Sequence, residues 1–210
     1  FFEKAESILL KKVGANHPDL GSLYQNMGQA YIHMADYEKA LTFFNKALAI
    51  ATVNLEPGHP NILSINMNIG YVYEKKGDFT NALKYYELSL PEDKNIPAVI
   101  KTYSNMASLY NSMKEADLAD EYFGKAIGLA LNILGKDHPE TGLLFTRYGY
   151  FLITHDQADR SVDMFRKAYE ISLNNYGKKS REASNNLTHI GNYYLIKNDL
   201  DNALKYYHEA

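Results

Sequence analysis

The stretch that decides the fold is YQNMGQAYIHMADYEKALTFFNKA, residues 24–47. Tyr24, Met27, Gly28 and Tyr31 fall on one face of a helix, the pattern pauses near Asp36, and Ala40, Phe44 and Ala47 mark one face of a second helix. The stretch does not stand alone. A shift of 42 residues carries Pro18 to Pro60, Asn26 to Asn68, Gly28 to Gly70, Tyr31 to Tyr73, Ala40 to Ala82 and Phe44 to Tyr86. A further shift of 37 reaches Pro97, Asn105, Tyr110, Ala119 and Phe123. Two more shifts of 42 reach Gly149, Leu152, Ser161, Phe165 and Ala168, then Gly191, Tyr194, Ala203, Tyr207 and Ala210. Self-similarity at a fixed period of this size is the signature of a stacked-repeat architecture.

Each unit therefore reads as two antiparallel helices, A then B. The A helices are predicted over 19–34, 61–76, 97–113, 139–154 and 181–197, and the B helices over 1–13, 37–54, 79–90, 116–134, 157–175 and 200–210. Gly28, Gly70, Gly149 and Gly191 lie inside A helices, where glycine costs about 1 kcal/mol against alanine, so close packing must offset them. The aromatic stripe of Tyr31, Tyr73, Tyr110 and Tyr194 with Phe44, Tyr86, Phe123, Phe165 and Tyr207 fills the space between helices. One pair cannot bury its apolar face alone, and stacking supplies the core.

Three stretches, GANHPD, PGHPN and GKDHPE, place His17, His59 and His138 before a proline. At the equivalent position the other two repeats carry Ile96 and Ser180, which a metal site could not accept. Equivalent positions in stacked helices stand about 10 Å apart, whereas zinc holds its imidazole nitrogens within about 2.1 Å. A helix start explains the pattern: proline fits the first helical position, Ser180 caps, and Asp19 or Glu140 suits the positive end of the helix dipole. No metal is expected.

The recurring pattern of aromatic, large apolar, small, aromatic, then Ala-x3-aromatic-x2-Ala resembles the tetratricopeptide repeat. The period exceeds the usual length of about 34 residues, with the excess between Ala47 and Pro60. This long form resembles the repeats of kinesin light chains and of bacterial arrays fused to CHAT proteases or signalling ATPases. The resemblance implies an all-α fold, a right-handed superhelical solenoid of antiparallel helix pairs. It is expected to span residues 1–210 as one domain, with 1–13 as the last helix of a preceding repeat (Phe2 and Ala5 aligning with Phe44 and Ala47) and repeats at about 18–59, 60–96, 97–138, 139–180 and 181–210. Phe1 in place of an initiator methionine and the abrupt end at Ala210 read as a segment of a longer protein.

In this family the A helices line a concave groove. Carried over by position, the resemblance implies an inward ladder of Asn26, Asn68, Asn105, Arg147 and His189. Gln29, Tyr71, Lys101, Tyr150 and Asn192 flank it, together with Gln25, Met67, Ser104, Ser108, Thr146, Asn185 and Thr188. An asparagine amide both donates and accepts, so it can bond a peptide backbone whatever the side chains. The lining is slightly basic, with Lys75, Lys101 and Arg147 against Glu74. Other tetratricopeptide domains clamp a terminal carboxylate with Lys, Asn, Asn, Lys and Arg; here Gln25, Gln29 and Asn105 stand at three of those places, so a chaperone tail is not the expected ligand. Pro91 and the shortened link before Pro97 predict a bend between the second and third repeats.

The function expected is a protein–protein interaction module that binds a peptide or protein segment, in trans or from the same polypeptide. The alternatives are a regulatory arm of an attached effector such as a CHAT protease or signalling ATPase, and a scaffold forming a homo-oligomer through its terminal helices. The chain has no cysteine and a net charge of −3, with no Lys/Arg block to attract nucleic acid. No apolar run approaches the roughly 20 residues of a membrane span, and a cytoplasmic location is expected. No phosphate loop, HExxH, GxSxG or paired-carboxylate motif appears, so no enzyme activity, catalytic residue or cofactor is expected.

Overall fold

The computed structural model describes the backbone of residues 2–210 and the side chains from Lys4 onward; the alignment of Phe2 with Phe44 lies outside those side chains. Eleven helices are described and no strand. They are α1 (Phe2–Val13), α2 (Pro18–His33), α3 (Tyr37–Asn54), α4 (Pro60–Lys75), α5 (Phe79–Leu88), α6 (Pro97–Ser112), α7 (Ala116–Ile133), α8 (Pro139–Thr154), α9 (Ala158–Tyr176), α10 (Arg181–Ile196) and α11 (Leu200–Glu209). The even-numbered helices are the A helices. Their bounds fall within one residue of those predicted, because a proline, a capping side chain or both fix each start.

The start of an A helix is built by its histidine. Nδ1 of His17, His59 and His138 accepts the backbone N–H two residues on, from Asp19 at 3.2 Å, Asn61 at 3.1 Å and Glu140 at 3.1 Å. Ser180 does the same work for α10, accepting from Ala183 N–H at 3.2 Å, and Ile96 leaves α6 without a side-chain cap. The position is thus the N-cap, and the imidazole itself is the capping group. Asp36, Asp78 and Asp199 cap α3, α5 and α11 by accepting from Lys39, Asn81 and Asn202 N–H at 3.1–3.2 Å. Between A and B helices the backbone passes through the left-handed region at one fixed register, Ala35, Gly77, Lys114, Asp156 and Asn198, with φ from 56° to 77°.

The chain divides into two compact units, Phe1–Met113 and Lys114–Ala210. The division does not fall at the short link before Pro97. Helix α5 does stop early, at Leu88 rather than residue 90, but hydrogen bonds cross the link. Ser89 Oγ lies 3.0 Å from Thr102 Oγ1 on α6, and Asn66 Nδ2 on α4 donates to the Leu88 carbonyl at 3.2 Å. These bonds tie the short helix to both neighbouring A helices.

In the first unit Leu20, Tyr24, Met27, Phe44, Ile50, Ile65 and Ile69 share one buried cluster over α2, α3 and α4. In the second, Val162, Phe165 and Ile190 are packed with Tyr169, Tyr194 and Tyr206. The mid-helix glycines are explained by these rings. A Cβ on Gly28 would stand 2.8 Å from Phe44, on Gly70 2.7 Å from Tyr86, on Gly149 2.7 Å from Phe165 and on Gly191 2.6 Å from Tyr207. Only a residue without a side chain lets the A and B helices approach so closely.

Candidate functional site

The candidate residues lie on the A helices. In the first unit Asn26, Gln29 and Lys101 are exposed, and Asn68 and Tyr71 are half-buried. Gln25 Nε2 on α2 donates to Asn61 Oδ1 on α4 at 2.9 Å, linking adjacent A helices. The Lys75 ammonium lies 4.9 Å from the Tyr71 ring centroid and 3.3 Å from a Glu74 carboxylate oxygen, so part of the basic character expected here is paired within its own helix. Asn105 is placed differently: it is buried, at 7% exposure. Met67 and Ser104, expected as flanks, are buried at 8% and 1%. They lie one residue before the ladder, and 100° of helix rotation turns them from the open face toward the neighbouring helix.

In the second unit Arg147 is exposed and Tyr150 is 47% exposed. The Tyr150 hydroxyl on α8 is hydrogen-bonded to His189 Nε2 on α10. Both rings rest on Phe165 of α9: the His189 centroid is 4.7 Å from it, and Tyr150 meets it edge-on at 5.6 Å. The Tyr150 and His189 rings are 4.5 Å apart at 71°. Burial in this cluster lowers the His189 pKa below the ordinary imidazole value and raises the Tyr150 phenol. Asn192 Oδ1 accepts the Tyr207 hydroxyl at 2.6 Å. Thr146 Oγ1 donates to Asn186 Oδ1 at 3.1 Å, and the buried Asn186 amide in turn donates to the Glu182 carbonyl and to Ser172 Oγ.

The structure thus brings Tyr150 and His189 into contact, leaves Asn26, Gln29 and Lys101 exposed, and withdraws Asn105. It also assigns structural duties that the sequence reading missed. Asn54 and Asn175, at the ends of α3 and α9, each donate across to the turn before an A helix, to the Asn16 carbonyl at 2.9 Å and the Asp137 carbonyl at 2.8 Å. Their shared register in the first and fourth repeats was the available signal. Tyr24 donates to Glu6 and Tyr148 to Asp120, both at 2.7 Å, and burial with the adjacent carboxylate pushes both phenols up to about 12. Among the described residues no three His, Asp or Glu side chains are grouped as metal ligands, and no helix is long and apolar enough to cross a membrane. What the exposed A-helix faces offer is hydrogen-bond donors and acceptors on a rigid, aromatic-backed support.

A family model described as "Tetratricopeptide repeat" matches residues 1–52, 19–91 and 99–171. No curated protein matches the sequence. Among solved structures, BtubC (BKLC) from P. vanneervenii is similar with a TM-score of 0.80 at 18% identity, covering 98% of this chain and 83% of that one. A putative kinesin light chain from Podosopora anserina with nearly identical TPR-like repeats gives 0.74 at 14% identity over 92% of this chain and 94% of that one. PilF of Pseudomonas aeruginosa gives 0.68 at 16% identity over 91% and 75%. At such identities the likeness concerns the fold.

Proposed function

The chain belongs to the tetratricopeptide repeat family, whose repeats mediate protein–protein interaction or scaffolding, and from that premise we propose that its A-helix faces bind a peptide or protein segment. Each unit offers its own face for such a segment, on α2, α4 and α6 in the first and on α8 and α10 in the second. On the first unit Asn26, Gln29 and Asn68 bond the backbone of the segment, with Lys101 and Tyr71 flanking it; on the second, Arg147, Tyr150, His189 and Asn192 line the face. Asn105 contributes little while buried. The segment comes from another protein or from elsewhere in the same polypeptide.

One observation carries this reading. Asn26 and Gln29 are exposed on α2 and have no intramolecular hydrogen bond described for them, while Tyr24, Met27 and Gly28 beside them are buried in the core. Their amides have no structural duty, and they stand where a ligand would meet a rigid helix. The double substitution Asn26→Ala with Asn68→Ala tests it. Peptides selected on the wild-type chain from a random displayed library should bind the double mutant about tenfold to thirtyfold more weakly, since each hydrogen bond contributes about 1 kcal/mol net. The circular-dichroism melt should be unchanged. Equal affinity for wild type and mutant would move binding off the A-helix faces.

A further inference from the structure

Two groups that hold an A helix on the B helix before it recur at fixed register, and α11 presents both uncovered. Leu41 on α3 is buried in one cluster with Ile65 and Ile69 of the following helix α4. Glu38, three residues before Leu41, takes the ammonium of Lys76, just after α4, at 2.6 Å. Val162 on α9 is buried with Ile190 of the following helix α10, and Asp159, again three residues earlier, takes the Lys197 ammonium at 2.9 Å. On the incoming helix the aliphatic residue and the lysine are seven apart in both cases, Ile69 to Lys76 and Ile190 to Lys197, about two turns along one face. The register keeps its sense where its residues change. Thr80 on α5 is matched by the neutral Met113 after α6, and Asp117 on α7 by His155 after α8. An acid is answered by a base, and a neutral residue by a neutral one.

On α11 the same two positions are Asp201 and Leu204. Leu204 is 56% exposed, against 8% for Leu41 and 4% for Val162, and Leu200, one turn before it, is also 56% exposed. Asp201 is exposed, and no cation is paired with it among the described residues. The internal interfaces therefore specify the complement of this face: an aliphatic side chain over Leu204 and a cation at Asp201. We propose that the exposed face of α11 docks an amphipathic helix of a partner protein that carries an aliphatic residue and, seven residues later, a lysine. Burial of Leu200 and Leu204 supplies the attraction, and Asp201 sets the register and direction of the incoming helix by taking its lysine. This face belongs to a B helix and is separate from the A-helix faces on which a segment is proposed to bind.

The test is an NMR titration of the full 210-residue chain with a synthetic helix, following the methyl signals of Leu200 and Leu204 and the amide signal of Asp201. The probe is the α10 sequence REASNNLTHIGNYYLIK, residues 181–197. A hydrocarbon staple between the exposed positions 181 and 185, opposite Ile190 on the helix, keeps it helical and lowers the ordering cost. Its control carries Lys197→Glu. The lysine helix should saturate the α11 signals and bind about threefold to tenfold more tightly than the glutamate control, the value of one exposed ion pair replaced by repulsion. In a chain carrying Asp201→Lys the preference should invert, the glutamate helix now binding more tightly, with helix content unchanged. Leu204→Ser should weaken both helices by about tenfold or more. A preference unaltered by Asp201→Lys, shifts centred on α9 rather than α11, or no binding of either helix would overturn the docking face. Self-association of the chain, seen as concentration-dependent sedimentation that Leu204→Ser abolishes, would overturn the partner helix as occupant and give the face to a second copy. None of these outcomes bears on a segment held by the A helices, which is read from the signals of Asn26, Gln29 and Asn68.

Discussion

Alanine substituted for glycine should have opposite effects at two positions of the second unit, Gly149 on α8 and Gly124 on α7. A Cβ at Gly149 would lie 2.7 Å from Phe165 Cε1, 2.9 Å from Cζ and 3.0 Å from Cδ1, whereas non-bonded carbons rest about 3.5–4.0 Å apart. The ring cannot simply retreat, because Phe165 is 1% exposed and bounded by Tyr150 and His189. Overpacking of this kind costs about 1–3 kcal/mol, and a ring held on two sides belongs at the upper end. Helix propensity returns about 1 kcal/mol, so Gly149→Ala should destabilise by about 1–2 kcal/mol net. For a unit of this size that lowers the midpoint of thermal unfolding by about 5–15 °C. At Gly124 nothing lies within 4 Å of the added carbon, so Gly124→Ala should stabilise by about 1 kcal/mol. Circular dichroism at the helix band, with heating and urea, reads both changes. A Gly149→Ala protein that melts at or above wild type, or two variants that shift in the same direction, would refute the close-packed register of α8 on α9.

Replacing His17, His59 and His138 together by alanine should lower stability by about 0.5–2 kcal/mol per lost cap, while serine, which caps α10 as Ser180, should largely preserve it; urea titration of both triple variants checks this, and no variant should change the metal content read by mass spectrometry. Stability should also depend on His189. Because burial lowers its pKa in the folded chain, the unfolded chain binds the proton first as pH falls. The stabilising contribution is therefore complete above the ordinary imidazole value of about 6.5 and is lost as pH drops from there toward the lower folded pKa. His189→Gln should flatten that part of the stability profile measured by urea titration; an unchanged slope would show that the ring is not desolvated.

Helix positions were legible in the sequence because their signals are local. Proline at 18, 60, 97 and 139 and aspartate at 36, 78 and 199 act within one turn of their own residue. The spacing of Gly28 to Phe44, repeated at Gly70, Gly149 and Gly191, sets how each pair closes, because an A helix finds its partner within about twenty residues of chain. The candidate ladder was legible only as a register. Helical spacing placed Asn26, Asn68, Asn105, Arg147 and His189 on one equivalent line, but it could not say that Asn26 would be open and Asn105 buried. Exposure depends on what packs beside each helix, and identical registers meet different neighbours.

The sequence by itself therefore determined the repeat, the helix bounds and the glycine–aromatic pairing, all of which rest on contacts short in chain distance and enforced by backbone geometry. Tertiary structure alone decided how the remaining polar groups are shared. Tyr150 and His189 are 39 residues apart, Asn175 and Asp137 are 38 apart, and Asn192 and Tyr207 meet across two helices. Each of these groups has several partners within reach of its register, and the side chain that takes its lone pair or proton is fixed only when neighbouring helices have docked. The contacts on α8 and α10 are a product of that docking, since neither the Tyr150–His189 pair nor the Tyr207–Asn192 bond follows from residue type alone.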